Sequence, residues 1–172
     1  EVAQASSVPS LYRYSLASHA DRPLLESAGA SARFGGLRVR DAVTRLTSNP
    51  LAQFGAVTFI DEAGATYVVF RGTDASAVGW AEDARFGLDF PTDSQLWAAN
   101  YLAFAAARAD GPLTVVGHSK GANLALYAAA ASTPPALAHV YAFDPVGFPA
   151  PVVDGGFFAS IDGLMHIYVT AG

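Results

Sequence analysis

The sequence predicts an α/β fold built on a mostly parallel sheet, and three observations lead to it. Apolar β-rich runs alternate with helix-forming runs from about residue 51 onward, which is typical of parallel sheets. Two of the runs flank the turn-forming segment Asp61–Gly64, which predicts an antiparallel hairpin. The 172 residues are 52% hydrophobic and 15% charged, enough for one sizeable core. We therefore expect a single domain over 1–172, a three-layer sandwich with helices on both faces of the sheet.

The first fifty residues predict a helical N-terminal portion. Apolar residues recur at helix-like spacing among Arg, Asp and Ser, as at Leu37, Val39, Val43 and Leu46, and the segment ends at Asn49-Pro50. The core of the fold is then expected over 51–172.

The remaining elements follow from their boundaries. Strands are predicted over 54–60 and 66–70, and a helix is predicted over 94–108 with Asp93 as its N-cap. A strand over 113–116 leads into a helix from residue 122, and two more buried strands are predicted over 139–143 and 166–170.

Composition excludes several classes of function. Ten basic residues against 15 acidic ones give a net charge of −5, and the basic residues are scattered, so no nucleic-acid partner is expected. The chain has no cysteine, and its four histidines lack ligand spacing, so neither a metal nor a cofactor is expected. No apolar run approaches the ~20 residues of a membrane span, and no signal peptide opens the chain. A soluble protein is expected, whereas its compartment and oligomeric state stay open.

The segment Gly117–Gly121 (GHSKG) lies between the apolar run Leu113–Val116 and the helical run Ala122–Ala129. This is the setting of a nucleophile elbow, where a serine on a tight strand-to-helix turn needs small residues two before and two after it. The two glycines of the motif meet that need. Ser119 is therefore the predicted nucleophile of an acyl transfer, and the alternative is a purely structural glycine-rich turn.

The neighbours of Ser119 receive different expectations. His118 is a poor base, because its position on the turn directs its side chain away from the serine hydroxyl; a packing or polar-lining role is favoured. Lys120 is expected to act through its main chain, since the N–H after the nucleophile contributes to an oxyanion hole.

Three spaced motifs resemble a known family: FRGTD at Phe70–Asp74, WxED at Trp80–Asp83 and GHSKGANL at Gly117–Leu124. The chain resembles the class 3 lipase-like branch of the α/β-hydrolases, and most closely an uncharacterised bacterial lipase-like family with these motifs. The similarity covers roughly Gln53–Phe148. It implies an α/β-hydrolase fold and an ester-hydrolysing activity.

The resemblance also implies that the turn after the second β-run supplies the other half of the oxyanion hole, which is carried over onto Thr73. A Gly-Thr turn at a strand end offers a backbone N–H and a hydroxyl to one oxygen. The alternative is that Thr73 and Asp74 cap the next segment. Asp74 is expected to bond turn backbone, and Asp83 to pair with Arg71 or Arg85.

Asp144 is the predicted catalytic acid. It follows the strand predicted over 139–143, at the same sheet edge as Ser119, and in this fold the chain order is Ser, acid, His. The following loop resembles the family's Asp-Gly-Pro-Gly-Phe pattern, although Pro145-Val146 replaces Gly-Pro. The alternative is a turn-forming aspartate ahead of a proline. Asp154 and Asp162 are weaker choices.

The base is not identified in the chain. His166 opens the last apolar run, and a strand continuing to Thr170 at ~3.3 Å per residue would carry it more than about 10 Å from the catalytic edge. In α/β-hydrolases the histidine follows the final strand. The resemblance therefore implies a chain truncated at its C-terminal end, with the histidine beyond Gly172.

Two functions remain open. The first is a serine hydrolase that cleaves a small-molecule acyl ester or a lipid through an acyl-enzyme on Ser119. The second is a catalytically silent module that binds an acyl ligand or a protein partner. Apolar residues are candidates for an acyl pocket, or else plain core; they are Phe86, Leu88, Phe90, Phe148, Phe157 and Phe158.

Overall fold

One sheet of six strands, in the order β1-β2-β3-β4-β5-β6, organises the computed structural model, which describes residues 18–171. The strands are β1 (Arg38–Ser48), β2 (Leu51–Ile60), β3 (Thr66–Phe70), β4 (Leu113–His118), β5 (Leu137–Phe143) and β6 (Met165–Tyr168). The helices are α1 (Ser18–Ala30), α2 (Ala77–Asp83), α3 (Asp93–Ala106), α4 (Lys120–Ser132) and α5 (Ala150–Asp154), with a 3₁₀ helix at Ala159–Leu164. The fold is mixed α/β.

The sheet has an antiparallel and a parallel part. Strands β1, β2 and β3 pair antiparallel, whereas β3 to β6 pair parallel. The predicted hairpin is confirmed, because Ile60 pairs with Thr66 across its closed end. Its turn is fixed by Asp61, whose Oδ1 accepts hydrogen bonds from the N–H groups of Ala63 and Ala65, both at 2.9 Å.

The expected cover of helices on both faces of the sheet is wrong for the parallel strands described. Helices α3 and α4 pack against each other and against one face, where Val68, Val115 and Val140 lie side by side at 0% exposure. On the other face, the next row of side chains is only half-buried: Val69, Val116, Tyr141 and His166. Strand order is the reason. Each parallel strand is added on the same side of the one before it in the chain. Right-handed crossovers therefore bring the connecting helices to the same face of the sheet.

The helical expectation for residues 1–50 is only partly correct. Residues 18–30 are helical, residues 38–48 form strand β1, and residues 1–17 lie outside the described part. The apolar positions read as helical, Val39, Val43 and Leu46, belong to a strand whose partner is β2. Pairing over ten residue positions with β2 decides the conformation, because a ladder of cross-strand contacts outweighs weak local propensity.

The described helices are short, the longest being α3 with 14 residues. Its N-cap is Thr92, not the expected Asp93: the Thr92 hydroxyl accepts from the Gln95 N–H while the Gln95 side chain accepts from the Thr92 N–H. This reciprocal capping box satisfies two backbone donors. Within residues 18–171, no helix combines the length and apolar character that crossing a membrane requires.

Candidate active site

Ser119 occupies a strained turn between β4 and α4. Its backbone angles are φ 55° and ψ −126°, a region that non-glycine residues rarely adopt and that is associated with functional sites. A Cβ on Gly117 would lie 2.1 Å from the Gly121 carbonyl oxygen, and one on Gly121 would lie 2.2 Å from the Phe70 carbonyl oxygen. Only glycine fits at both positions, for the steric reason inferred from the motif. The Ser119 side chain makes no capping hydrogen bond to α4.

The end of β5 is fastened to this turn. The Ser119 N–H donates to the Phe143 carbonyl at 2.9 Å, and the Val146 N–H donates to the Ser119 carbonyl at 3.5 Å. These two bonds bracket Asp144, so the predicted acid lies beside the predicted nucleophile, at the same edge of the sheet.

Asp144 is held by the segment that follows β6. Its Oδ1 accepts hydrogen bonds from the Thr170 N–H at 2.6 Å and the Thr170 hydroxyl at 2.9 Å, and its backbone φ is 45°. The Thr170 backbone bond, with help from its hydroxyl and from His118, holds the pKa of Asp144 below its usual value. The result is a charged carboxylate with Oδ1 anchored and Oδ2 3.8 Å from the His118 Nε2.

The three histidine side chains that the structure describes occupy two environments. The His118 side chain is 70% exposed, which does not fit the packing role that the sequence favoured as one of two. His166 is paired in register with Tyr141, its Nε2 lies 3.2 Å from the Nδ1 of His139, and its ring stacks on Tyr141. His166 is therefore engaged on the half-buried face, level with a residue three positions before Asp144.

The turn after β3 lies against Ser119. A Cβ on Gly72 would lie 2.9 Å from the His118 carbonyl oxygen and 3.7 Å from the Ser119 Cβ. Thr73 is the next residue. The predicted oxyanion donor Thr73 and the predicted nucleophile Ser119 therefore lie on segments that contact each other. Thr73 and Lys120 donate no backbone N–H bond to an acceptor in the described part of the chain.

The Thr73 side chain is committed to another partner. Its hydroxyl donates to the Asp83 Oδ2 at 2.5 Å, so the hydroxyl proton is engaged and the backbone N–H is the group left to face a ligand. The expectation that Asp83 pairs with Arg71 or Arg85 is wrong. Burial raises the pKa of Asp83, an effect that the Thr73 hydroxyl opposes.

The two arginines pair elsewhere, and nearer in sequence. Arg71 pairs with Asp74 at 3.0 Å and Arg85 with Asp89 at 2.5 Å. Asp74 also accepts the Ser76 N–H at 2.9 Å, so its expected bond to turn backbone is confirmed. Asp83 is thereby left to hold the threonine.

The Lys120 side chain is fully buried in a polar network. Its Nζ donates to the Glu82 Oε2 at 2.5 Å and to the Gln53 Oε1 at 3.1 Å, and Glu82 Oε2 also accepts the Gln53 N–H at 2.8 Å. Burial lowers the pKa of Lys120, while the charge of Glu82 opposes that shift. Sequence reasoning assigned a role only to the Lys120 main chain. Glu82 lies 38 positions away, and no local pattern connects two such residues.

The loop after Asp144 is fastened to α4 by Asn123, which sequence reasoning also missed. The buried Asn123 amide donates to the carbonyls of Val146 at 3.0 Å and Gly147 at 3.1 Å. Its Oδ1 accepts from the Gln95 amide at 2.8 Å. This cross-link fixes the loop one turn of helix away from Ser119.

An apolar cavity of about 640 Å³ opens beneath this loop. Its lining combines residues of α4, the loop, α5, the 3₁₀ helix and β6: Leu126, Pro145, Val146, Gly147, Phe148, Val153, Gly156, Phe158, Ala159, Asp162, Met165 and Ile167. Of the six residues proposed for an acyl pocket, Phe148 and Phe158 line it.

The other four candidates lie elsewhere. Phe86 is 1% exposed and belongs to the main core, so it is wrong as a lining residue. Leu88 is 83% exposed. Phe90 and Phe157 pack edge to face with a centroid separation of 5.3 Å, and Phe90 also contacts Phe148. Phe157 contacts Phe158, so Phe90 and Phe157 each pack against a residue of the cavity lining.

Within residues 18–171, no cluster of three or more His, Cys, Asp or Glu is arranged to hold a metal.

No curated protein matches the chain. Two solved structures are similar: the native Rhizomucor miehei lipase propeptide complex (18% identity, TM-score 0.45, 66% of this chain and 47% of that chain) and a deletion mutant of the same complex (18%, TM-score 0.48, 76% and 48%).

The chain spans about half the length of those structures. A family model described as Mbeg1-like matches residues 28–172. The chain therefore belongs to the Mbeg1-like family.

Proposed function

We propose that the protein is a serine ester hydrolase of the class 3 lipase-like, α/β-hydrolase type, which acts through an acyl-enzyme on Ser119. One observation carries the proposal: the positive-φ turn of Ser119 has the strand end of Asp144 on one side and the Gly72-Thr73 turn on the other. A nucleophile, an acid and two free backbone donors at one sheet edge are parts that acyl transfer needs, and a histidine base is the part that remains to be identified.

Each part has a role in the proposed reaction. The Ser119 oxygen attacks the ester carbonyl carbon, and its proton passes to a histidine base, not identified among the described residues, which Asp144 orients. The oxyanion accepts hydrogen bonds from the N–H groups of Thr73 and Lys120. The C–O bond to the alcohol then breaks, the histidine returns the proton to that alcohol, and water releases the acid in a second, equivalent step.

The substrate that the site supports best carries an apolar acyl chain. The cavity wall formed by Pro145–Phe148 is hydrogen-bonded to Ser119 through Val146, so an acyl group bonded to the serine lies next to the cavity. Leu126, at the cavity's other side, is seven residues along α4, about 10 Å from Ser119 at 1.5 Å per residue. The lining is apolar apart from Asp162, which favours a hydrocarbon chain.

The test is covalent labelling of the full-length protein by a fluorophosphonate probe. We expect label on Ser119 and none on a Ser119→Ala variant, because the probe reacts with an activated serine. Ser132→Ala is the matched control: Ser132 ends the same helix, its hydroxyl bonded to the Ala128 carbonyl, and its loss should leave labelling intact. A folded protein that stays unlabelled contradicts the proposal.

A second candidate, a silent module that binds an acyl ligand or a protein partner, has one specific observation in its favour. Among the histidine side chains described, only His118 lies within ion-pair distance of Asp144, and His139 and His166 bond each other. The cavity exists whether or not a base completes the site. Binding of a fluorescent fatty acid by a protein that never labels would support this candidate for an acyl ligand.

A further inference from the structure

Helix α2 is anchored by polar contacts. Of its seven residues only Gly79 and Glu82 are buried, and Gly79 brings no side chain. Trp80, its largest side chain, is 58% exposed. A helix without an apolar buried face is not positioned by the hydrophobic effect. Its position therefore depends on Glu82 and on the neighbouring Asp83.

These two consecutive carboxylates reach the two sides of the candidate site. Glu82 binds the ammonium of Lys120 at 2.5 Å, in the first turn of α4. Asp83 binds the hydroxyl of Thr73 at 2.5 Å, in the turn after β3. The two residues they hold, Thr73 and Lys120, are the ones whose backbone N–H groups are the proposed oxyanion donors.

The Lys120–Glu82 pair is a costly way to stabilise a fold. Both side chains are almost entirely buried, at 0% and 2% exposure, and desolvating two charges offsets most of their attraction. The buried Oε1 of Glu82 and the buried amide Nε2 of Gln53 also have no hydrogen-bond partner among the residues that the structure describes. Apolar side chains of similar size are often as stable or more so in such a place. Apolar contacts are not directional, whereas an ion pair with hydrogen bonds fixes two elements at one separation.

We propose that the buried Lys120–Glu82 ion pair is a positioning device, which sets the spacing of the Thr73 and Lys120 N–H groups by locking α2 and β2 to the first turn of α4. Lys120 thus has two separate functions: its main chain faces the oxyanion and its side chain fixes where that main chain lies. Glu82, Gln53 and the Lys120 ammonium act through other groups and do not touch the substrate.

The inference rests on the proposed hydrolase function, and its test separates the two. Lys120→Met alone leaves Glu82 buried and unpaired and is expected to unfold the protein easily. The informative variant is the double substitution Lys120→Met with Glu82→Leu, which removes both charges and keeps both backbones. We expect it to fold, with a Tm below that of the wild type because the buried Gln53 N–H loses its acceptor. Arg85→Gln, which breaks the exposed pair with Asp89, is the matched control.

We expect the double variant to lose about 10- to 100-fold in kcat and in fluorophosphonate labelling rate, because small displacements of catalytic groups cost that much. KM for the ester and affinity for a fluorescent fatty acid should change little, since neither Glu82 nor Lys120 lines the cavity. Lys120→Met with Glu82→Gln also removes both charges but keeps an acceptor for the Gln53 N–H, and should keep more activity than Lys120→Met with Glu82→Leu.

Hydrogen exchange gives a readout that does not require activity. The segment 72–83 should exchange faster in the folded double variant than in wild type, whereas α3 should not change. A folded double variant with wild-type kcat and wild-type exchange over 72–83 overturns the positioning role and leaves the hydrolase proposal intact. Absence of labelling in the wild-type protein contradicts the hydrolase proposal instead, and the exchange result then decides the positioning of the segment by itself.

Discussion

The Ser119 amide nitrogen donates a hydrogen bond to the Phe143 carbonyl oxygen at 2.9 Å. This bond joins the turn after β4 to the last residue of β5, its parallel neighbour in the sheet. Because parallel strands end at the same edge, the residue after each strand, Ser119 after β4 and Asp144 after β5, is brought to one place. Residues 25 positions apart thereby become a candidate nucleophile and acid.

Replacement of the acid tests its role. Asp144→Asn keeps the size of the side chain but removes its charge, and we expect kcat to fall on the order of 10³- to 10⁴-fold, because an amide does not stabilise the imidazolium or select its tautomer. Kinetics on a soluble ester measure this. Asp154→Asn, an exposed aspartate of α5, is the control and should change little. Full activity in Asp144→Asn would show that Asp144 only forms a turn and is not the catalytic acid.

The pKa of Asp144 provides a pH test. The Thr170 bonds lower the pKa of its carboxyl in the folded state from 3.8, so the stability it contributes is fully present above pH 3.8 and is lost as the pH falls through the lower, folded pKa. A carboxyl-carbon NMR titration should give a midpoint below 3.8. Thr170→Val removes the hydroxyl bond but keeps the N–H bond, and should raise that midpoint. A midpoint unchanged by Thr170→Val would contradict the assigned cause.

Gly117 should tolerate no side chain. Gly117→Ala would bring a Cβ to 2.1 Å from the Gly121 carbonyl oxygen, a backbone atom that moves only if the turn opens. We expect a loss of about 3 kcal/mol in the free energy of unfolding, the upper range for overpacking, measured by denaturant titration. Gly163→Ala is the control, since its added Cβ meets no atom within 4 Å. Equal stability of the two variants would show that the turn is not tightly closed.

The cavity should set the preferred acyl length. Val153 lines it and is 53% exposed, so Val153→Trp can narrow it without disturbing the core. We expect kcat/KM to fall roughly tenfold for a palmitate ester and to stay unchanged for a butyrate ester, because steric exclusion acts only on the chain that reaches the residue. Val169→Trp, at a 75% exposed residue outside the cavity lining, is the control. An equal loss of kcat/KM for both esters would show that the acyl chain does not bind in the cavity.

Local signals in the sequence were sufficient for part of this architecture. The hairpin follows from a turn between two β-rich runs, and the Ser119 turn follows from Gly117 and Gly121 between a strand and a helix. In both cases the information lies within a few adjacent residues, where backbone sterics and turn chemistry act directly. The location of Asp144 required one further assumption, that the two strands run parallel.

Tertiary structure alone decided the rest. A helical spacing fits Val39, Val43 and Leu46, yet pairing with β2 makes β1 a strand. The spacing does not show this pairing, because cross-strand contacts join residues that are far apart in the sequence. The hydroxyl of Thr73 and the ammonium of Lys120 each find a carboxylate on α2, at separations of 10 and 38 residues. A buried polar group must form its hydrogen bonds with the groups that lie beside it in space. The residues next to it in the sequence do not indicate which partner that is.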